Sequence, residues 1–265
     1  MNEEVLLLEP KRSQAGPRPD LPARSLSSTR EVAEAAVSSG RGPKYWVAQG
    51  VRPLLEVLAS GRGPRGDHRI IVLQPLDAAR LAVLDAAFYR VLVGNPGTSL
   101  LPLEELVEVL ASPRRGEFFI GGVVDRQDEV VVLYRGNMEP LLVPTSWFEP
   151  SGNGVRPDFD DFGVTDFGQT VRLGEYEATA DAVLYEFDAE YRRKLRRQRR
   201  EEDRSFGACL RRLRLQKGVA RDEFPGVSEK QIARIERGET GRPRAATLEA
   251  IAARLGVRPE EIEEY

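Results

Sequence analysis

Apolar and polar positions follow three successive textures along the chain. In the first, Arg69 to Leu73 (RIIVL) predicts a buried strand. The PLDAARLAVLDAAFYRVLVG that begins two residues later sets Leu81, Leu84, Phe88 and Val91 on one helical stripe. NPGTS ends that helix. Leu103, Leu106, Val107 and Leu110 then recur at i, i+3, i+4 and i+7, which predicts an amphipathic helix over 102–111. Upstream, shorter helices are predicted from about Thr29 to Ser38 and from Pro53 to Ala59. PKRSQAGPRPDLPARSLSS is rich in Pro, Ser, Gly and Arg and has little to bury. Residues 1–42 therefore read as a weakly ordered N-terminal tail, and 43–116 as a mainly helical region with one strand.

The second texture is β-like. EFFIGGVV, EVVVLYRG and PLLVP are short β-branched and aromatic runs separated by the turn formers DRQD and GNME. FGVTDFGQTVRL supplies one or two further strands, and GEYEATADAVLYEF a helix. Residues 117–187 are expected as a small α+β unit with an antiparallel sheet. The stretch 188–204 has no Gly or Pro and almost no apolar face, and reads as a basic helical linker.

Helical spacing returns in the third texture. Phe206, Leu210 and Leu213 share a face with Cys209 nearby, and Lys217–Gly218 closes that helix. A short ARDEF segment runs into the turn Pro225–Gly226. Ser228 is a natural N-cap for a helix from about Glu229 to Arg237, stopped by Gly238. Ile232 and Ile235 face inward on it, and Glu229, Lys230, Gln231 and Arg234 outward. After the loop GETGRPR, Ala245 to Leu255 turns Leu248, Ile251, Ala252 and Leu255 inward, Gly256 caps it, and Pro259 starts a last turn.

Charge changes the picture. The formal net charge of −3 divides into −9 over residues 1–189, +4 over 190–204 and +2 over 205–265. A polyanionic partner is therefore sought in the last third. One cysteine, Cys209, excludes an internal disulfide and a cysteine zinc cluster. No apolar run approaches the roughly 20 residues that span a bilayer. The acids ahead of Val5–Leu8 do not make a secretory signal. No membrane partner and a bacterial, cytoplasmic location are expected.

Single-residue chemistry is sparse. His68, the only histidine, lies in a Gly/Arg stretch without a nucleophile beside it and is expected at the surface. Cys209 reads as a small buried hydrophobe. Asp158, Asp160, Asp161 and Asp166 read as a turn-rich acidic loop, and Trp147 and Phe148 as core or an interface patch. GRGPRG at 61–66 lacks the GK[ST] of a phosphate loop. No catalytic residue, metal or cofactor is expected, and no enzyme.

LRRLRLQKGV, GVSEKQIARIERGE and RPRAATLEAIAARLGV together resemble the Cro/CI-type (XRE) helix-turn-helix family over about 55 residues. The resemblance implies a bundle of four or five helices whose third helix enters the DNA major groove. By position it assigns base edges to Glu229, Lys230, Gln231 and Arg234. It assigns phosphates to Arg221, Ser228, Arg237, Thr240, Arg242 and Arg244, and a structural ion pair to Arg214 and Glu236. The residue types suit these roles. Lys230 and Arg234 donate to guanine O6 and N7, Glu229 accepts from cytosine N4, and the loop arginines neutralise phosphate. One departure is visible: DEF runs straight into Pro225, about three residues early, which shortens the second helix. In the middle region, VVVLYRGNMEPLLVPTSWF and DFGQTVRLGEYEATADAVLYE resemble a small bacterial domain of unknown function found beside such helix-turn-helix domains. That resemblance implies a βαββ unit used for sensing or protein contact.

The expected fold class is α+β: a small antiparallel-sheet α+β body followed by an all-α helix-turn-helix bundle over 205–265. The first functional reading is a transcriptional regulator that binds double-stranded DNA, with the body forming a homodimer or binding a protein partner or effector. The second is an antitoxin-like or other protein-interaction component. It would bind a partner through residues 69–187 and autoregulate its own operon.

Overall fold

The computed structural model describes residues 4–8, 21–38, 42–150, 152 and 154–264, with backbone alone at 199–202 and 264. The chain divides into two compact units, Met1–Tyr191 and Arg192–Tyr265.

The first unit opens with a parallel sheet. Strands β1 (Glu4–Leu8), β2 (Arg24–Leu26), β3 (Lys44–Ala48), β4 (His68–Val72) and β5 (Arg90–Val93) lie in the order β2-β1-β3-β4-β5, each pair parallel. Parallel neighbours need crossovers. Helices α1 (Thr29–Val37), α2 (Arg52–Ala59) and α3 (Ala78–Ala87) supply them after β2, β3 and β4. Ser28 and Glu31 form a capping box at the start of α1. Leu6, Leu8, Trp46, Ala48, Ile70 and Val72 pack in one cluster with Val32 and Ala36 of α1, Leu54 and Val57 of α2, and Leu84 of α3. The residues that alternate with them, Val5, Leu7, Tyr45, Val47 and Ile71, are buried as well. Burial on both faces is what a parallel sheet under helices requires. The amphipathic helix α4 (Leu103–Ala111) packs against β1.

Several expectations are corrected here. Residues 4–8, 24–26 and 29–37 are ordered elements and not a tail; the remaining tail positions 1–3, 9–20 and 39–41 lie outside the described residues. The region 43–116 is not mainly helical, since it contributes β3, β4, β5 and a further strand, β6 (Thr98–Leu100). Its sheet is parallel, where the only sheet expected was antiparallel. The helical stripe through Val91 breaks: α3 ends at Ala87, Phe88 is extended, and Val91 pairs with Ile70. The physical reason is common to all of these. Each short strand is stabilised by a partner remote in sequence, which local periodicity does not encode.

After β6 the pairing turns antiparallel. The sheet β6-β7-β8-β9 adds β7 (Phe119–Asp125), β8 (Val130–Arg135) and β9 (Pro140–Pro144). A second sheet holds β10 (Phe162–Thr165), β11 (Thr170–Leu173) and β12 (Tyr176–Thr179). Helix α5 (Ala180–Phe187) follows, N-capped by Thr179. The antiparallel expectation for 117–187 thus describes these sheets. The βαββ order does not, because no α-helix divides the strands between β7 and β12 among the described residues. Phe148 is buried and meets Trp147, Phe159 and Tyr176 edge-on.

Helix α6 (Ala189–Glu202) starts in the first unit, where Asp188 accepts from the Glu190 and Tyr191 amides. The second unit then folds as α7 (Phe206–Gln216), a 3-10 turn Arg221–Glu223, α8 (Glu229–Glu236), α9 (Ala245–Leu255) and a final 3-10 turn Pro259–Glu264. Its core gathers Leu210, Leu213, Phe224, Val227, Ile232, Ile235, Leu248, Ile251, Leu255 and Ile262. The second helix is indeed short, a single 3-10 turn ahead of Pro225. Gly207 in α7 allows a close approach to α8. A Cβ there would stand 2.1 Å from the Ile235 carbonyl oxygen.

His68 is not at the surface. It is 3% exposed at the start of β4, and its Nδ1 accepts from the Trp46 Nε1–H at 3.0 Å. Burial, and then the nearby Lys44 charge, pushes its pKa below the ordinary 6.5. Below pH 6.5 the unfolded chain therefore takes up a proton that the folded chain refuses, and stability falls. Denaturant titrations from neutral pH down through the histidine range should show the first unit losing stability. His68→Asn, whose Oδ1 can still accept from Trp46, should flatten that dependence. For Gly207→Ala we expect the second unit to lose about 1–3 kcal/mol from overpacking, read by urea unfolding, even though alanine is the better helix former.

Candidate nucleic-acid interface

Helix α8 is set in place from both ends and from beneath. Ser228 caps its start, the hydroxyl accepting from the Gln231 amide at 3.2 Å. Ile232 and Ile235, one turn apart, are buried in the core, which leaves the opposite face to solvent. Glu229, Lys230, Gln231 and Arg234 are all exposed, with Lys230 and Arg234 on the face opposite the isoleucines.

A groove of about 770 Å³ runs beside α8. Ser228, Lys230, Gln231 and Arg234 line one side, and Thr240, Arg242 and Arg244 from the following loop line the other. Seven of the ten positions expected at DNA are thus brought to one concavity. Glu229, Arg237 and Arg221 are not part of its lining. Glu229 sits exposed on the first turn of α8. Arg237 donates from Nε to Glu239 at 2.5 Å. Arg221 is turned toward Glu236, with Nη2 at 2.7 Å and Nε at 2.8 Å. Two groove arginines also have carboxylate neighbours: Arg234 Nε lies 3.4 Å from Glu239, and Arg242 Nη1 3.2 Å from Glu263.

Beneath α8 the structure brings Arg214 and Glu236 together. Arg214 Nε donates to Glu236 Oε1 at 2.5 Å, and its Nη1 donates to the Val219 carbonyl at 2.8 Å. Both side chains are nearly sealed, the Glu236 side chain 1% exposed and that of Arg214 9%. Burial pushes the Glu236 carboxyl up, but the hydrogen bonds and charges of Arg214 and Arg221 outweigh it and hold the group below its ordinary value. Arg221 is therefore the third member of an ion cluster, a role that sequence reasoning missed. Its signal was the missing turn of helix before Pro225, which leaves Arg221 at the end of α8 rather than at the front of a longer helix. Gly207 and Glu239 were missed too. The first looks like an ordinary helical glycine, and the second like one more loop acid.

Elsewhere, Cys209 is fully buried with its thiol near the Glu263 carbonyl. Of the acidic loop, Asp161 binds Arg172 through two hydrogen bonds of 2.7 and 2.9 Å, and Asp160 meets Arg126 at 2.5 Å. Among the described residues no group of three or more His, Cys, Asp or Glu is placed to hold a metal ion. No helix of the described residues is long and apolar enough to cross a membrane.

Replacing Glu236 by Gln leaves the Arg214 guanidinium buried without its counter-ion. We expect the second unit to lose about 3–5 kcal/mol, measured by denaturant unfolding. Because the folded-state pKa of Glu236 is depressed, the stability that its ionised carboxylate contributes is present above pH 4.5 and lost as pH falls through the folded value. Acid titration of Glu236→Gln should show a shallower loss than the parent.

A family model described as a helix-turn-helix domain matches residues 190–265. No curated protein and no solved structure gave a match. Residues 190–265, from the second residue of α6 to the end of the bundle, are thus a helix-turn-helix domain.

Proposed function

We propose that the protein is a sequence-specific transcriptional regulator rather than an enzyme, and that α8 reads the major groove of double-stranded DNA. The groove beside α8 carries this reading: Lys230, Gln231 and Arg234 face Arg242 and Arg244 across one cleft beside a helix whose N-terminus is capped and exposed. A helix-turn-helix domain at residues 190–265 suggests DNA binding, and the resemblance of GVSEKQIARIERGE to the Cro/CI type favours α8 as the recognition helix. In this reading Glu229, Lys230, Gln231 and Arg234 meet base edges. Ser228, Arg237, Thr240, Arg242 and Arg244 hold phosphates, with the positive end of the α8 dipole beside Ser228. Arg221 acts through Glu236 to hold α8. The body, with its net −9 over residues 1–189, repels DNA and is left to dimerise or to bind a partner or effector. A dimer would read half-sites about 34 Å apart.

Selection of bound duplexes from a random pool by the full chain, followed by mobility shifts over a salt series, tests the proposal. Arg234→Ala should relax preference at one base position by about 1–3 kcal/mol, and Arg242→Ala should weaken all duplexes alike and lower the salt slope by about 1. Absence of salt-sensitive DNA binding near physiological ionic strength would sink the reading. The reverse pattern for the two arginines would move the recognition face off α8.

A further inference from the structure

Glu239 occupies a position that the helix itself does not favour. Helix α8 ends in a Schellman cap: the Gly238 amide donates to the Ile235 carbonyl at 2.9 Å and the Glu239 amide to the Arg234 carbonyl at 3.0 Å, with Gly238 at φ +72°. That cap fixes the Glu239 backbone against the last turn of α8. A carboxylate at a helix C-terminus opposes the macrodipole. Two guanidiniums offset this: Arg237 Nε at 2.5 Å and Arg234 Nε at 3.4 Å, and they hold the carboxyl below its ordinary pKa. Thr240, the next residue, already lines the groove. The Glu239 carboxylate therefore stands between a groove arginine, Arg234, and Arg237 just outside the groove lining.

We propose that Glu239 is a built-in counter-charge and a specificity-determining residue of the interface. This rests on the DNA-binding reading of α8. On an unrelated sequence Arg234 finds no guanine edge, and the neighbouring Glu239 carboxylate both weakens its contact with phosphate and repels the backbone. On the right sequence a guanine O6/N7 edge takes Arg234 in two-point geometry and Glu239 is released. An exposed ion pair is weak, so its rupture costs the right complex little. Glu239 thus suppresses wrong duplexes more than the right one, which is discrimination by repulsion.

The test uses the full chain, a duplex selected from the random pool and a scrambled duplex of equal length. Glu239→Gln keeps the backbone cap and removes the charge. Glu249→Gln makes the same charge change on the exposed side of α9 and serves as the control. For Glu239→Gln we expect about tenfold tighter binding of the scrambled duplex near 0.1 M salt, with a slope steeper by about 0.9 for each arginine newly on phosphate. The selected duplex should change by no more than about twofold, and Glu249→Gln should move both only slightly. Without DNA, the Arg237 Nε–H resonance should shift and exchange faster in Glu239→Gln; no change would show that the pair does not form in solution and overturn the proposal. Equal tightening of both duplexes, or an effect no larger than that of Glu249→Gln, also overturns it while leaving the DNA-binding reading intact. If the parent binds neither duplex, that reading fails and the role of Glu239 falls with it.

Discussion

At the end of α8 the Glu236 carboxylate meets Arg214 from α7 at 2.5 Å and Arg221 from the short turn at 2.7 Å, and its side chain is 1% exposed. Three elements of the second unit are thereby tied to one point. Such buried ion clusters are weak sources of net stability, because desolvation consumes most of the attraction. They are strict about arrangement, because losing one partner strands a charge in a low dielectric. Gly207 permits this geometry: with no Cβ, α7 lies against the Ile235 carbonyl and brings Arg214 within reach. The outward face of α8 is a consequence. Once Ile232, Ile235 and Glu236 are turned in, Lys230, Gln231 and Arg234 have only the groove to face.

Pro225 shapes the same region from the other side. It cannot donate an amide to a continuing helix, so the second helix stops as a 3-10 turn at Glu223. Phe224 and Val227 flank the resulting bend and are both buried, which ties the turn to the core despite its lost length. Arg221 sits at the start of this turn and is drawn to Glu236. Thr240, Arg242 and Arg244, in the loop after α8, line the groove instead. Acids accompany these cations, Glu239 beside Arg234 and Glu263 beside Arg242, so the interface is closer to neutral than its arginines alone suggest.

The two units were unequally legible. In the second, nearly every helix boundary follows from local chemistry. Ser228 caps, Gly218, Gly238 and Gly256 stop, and apolar residues recur at helical spacing over segments long enough to be unambiguous. In the first, α1, α2 and α4 were readable for the same reason and the antiparallel hairpins from their β-branched runs and turn formers, but β1, β2, β3 and β5 were not. Each is three to five residues long, and each gains its stability from parallel neighbours far along the chain. His68 illustrates the cost of reading locally. Its flanking Gly and Arg residues suggest a loop, but the β3 pairing places it beside Trp46 in the interior.

By itself, the sequence determined the helical bundle of the last third, the face of α8 that meets solvent and the concentration of positive charge there. Capping, helical period and charge are properties of neighbouring residues. Tertiary structure alone decided the parallel order β2-β1-β3-β4-β5, the burial of His68, the recruitment of Arg221 to Glu236 and the approach of Glu239 to the arginines of α8. These depend on distances between segments that are remote in sequence or folded back by a cap, and such distances are set only when the whole core closes.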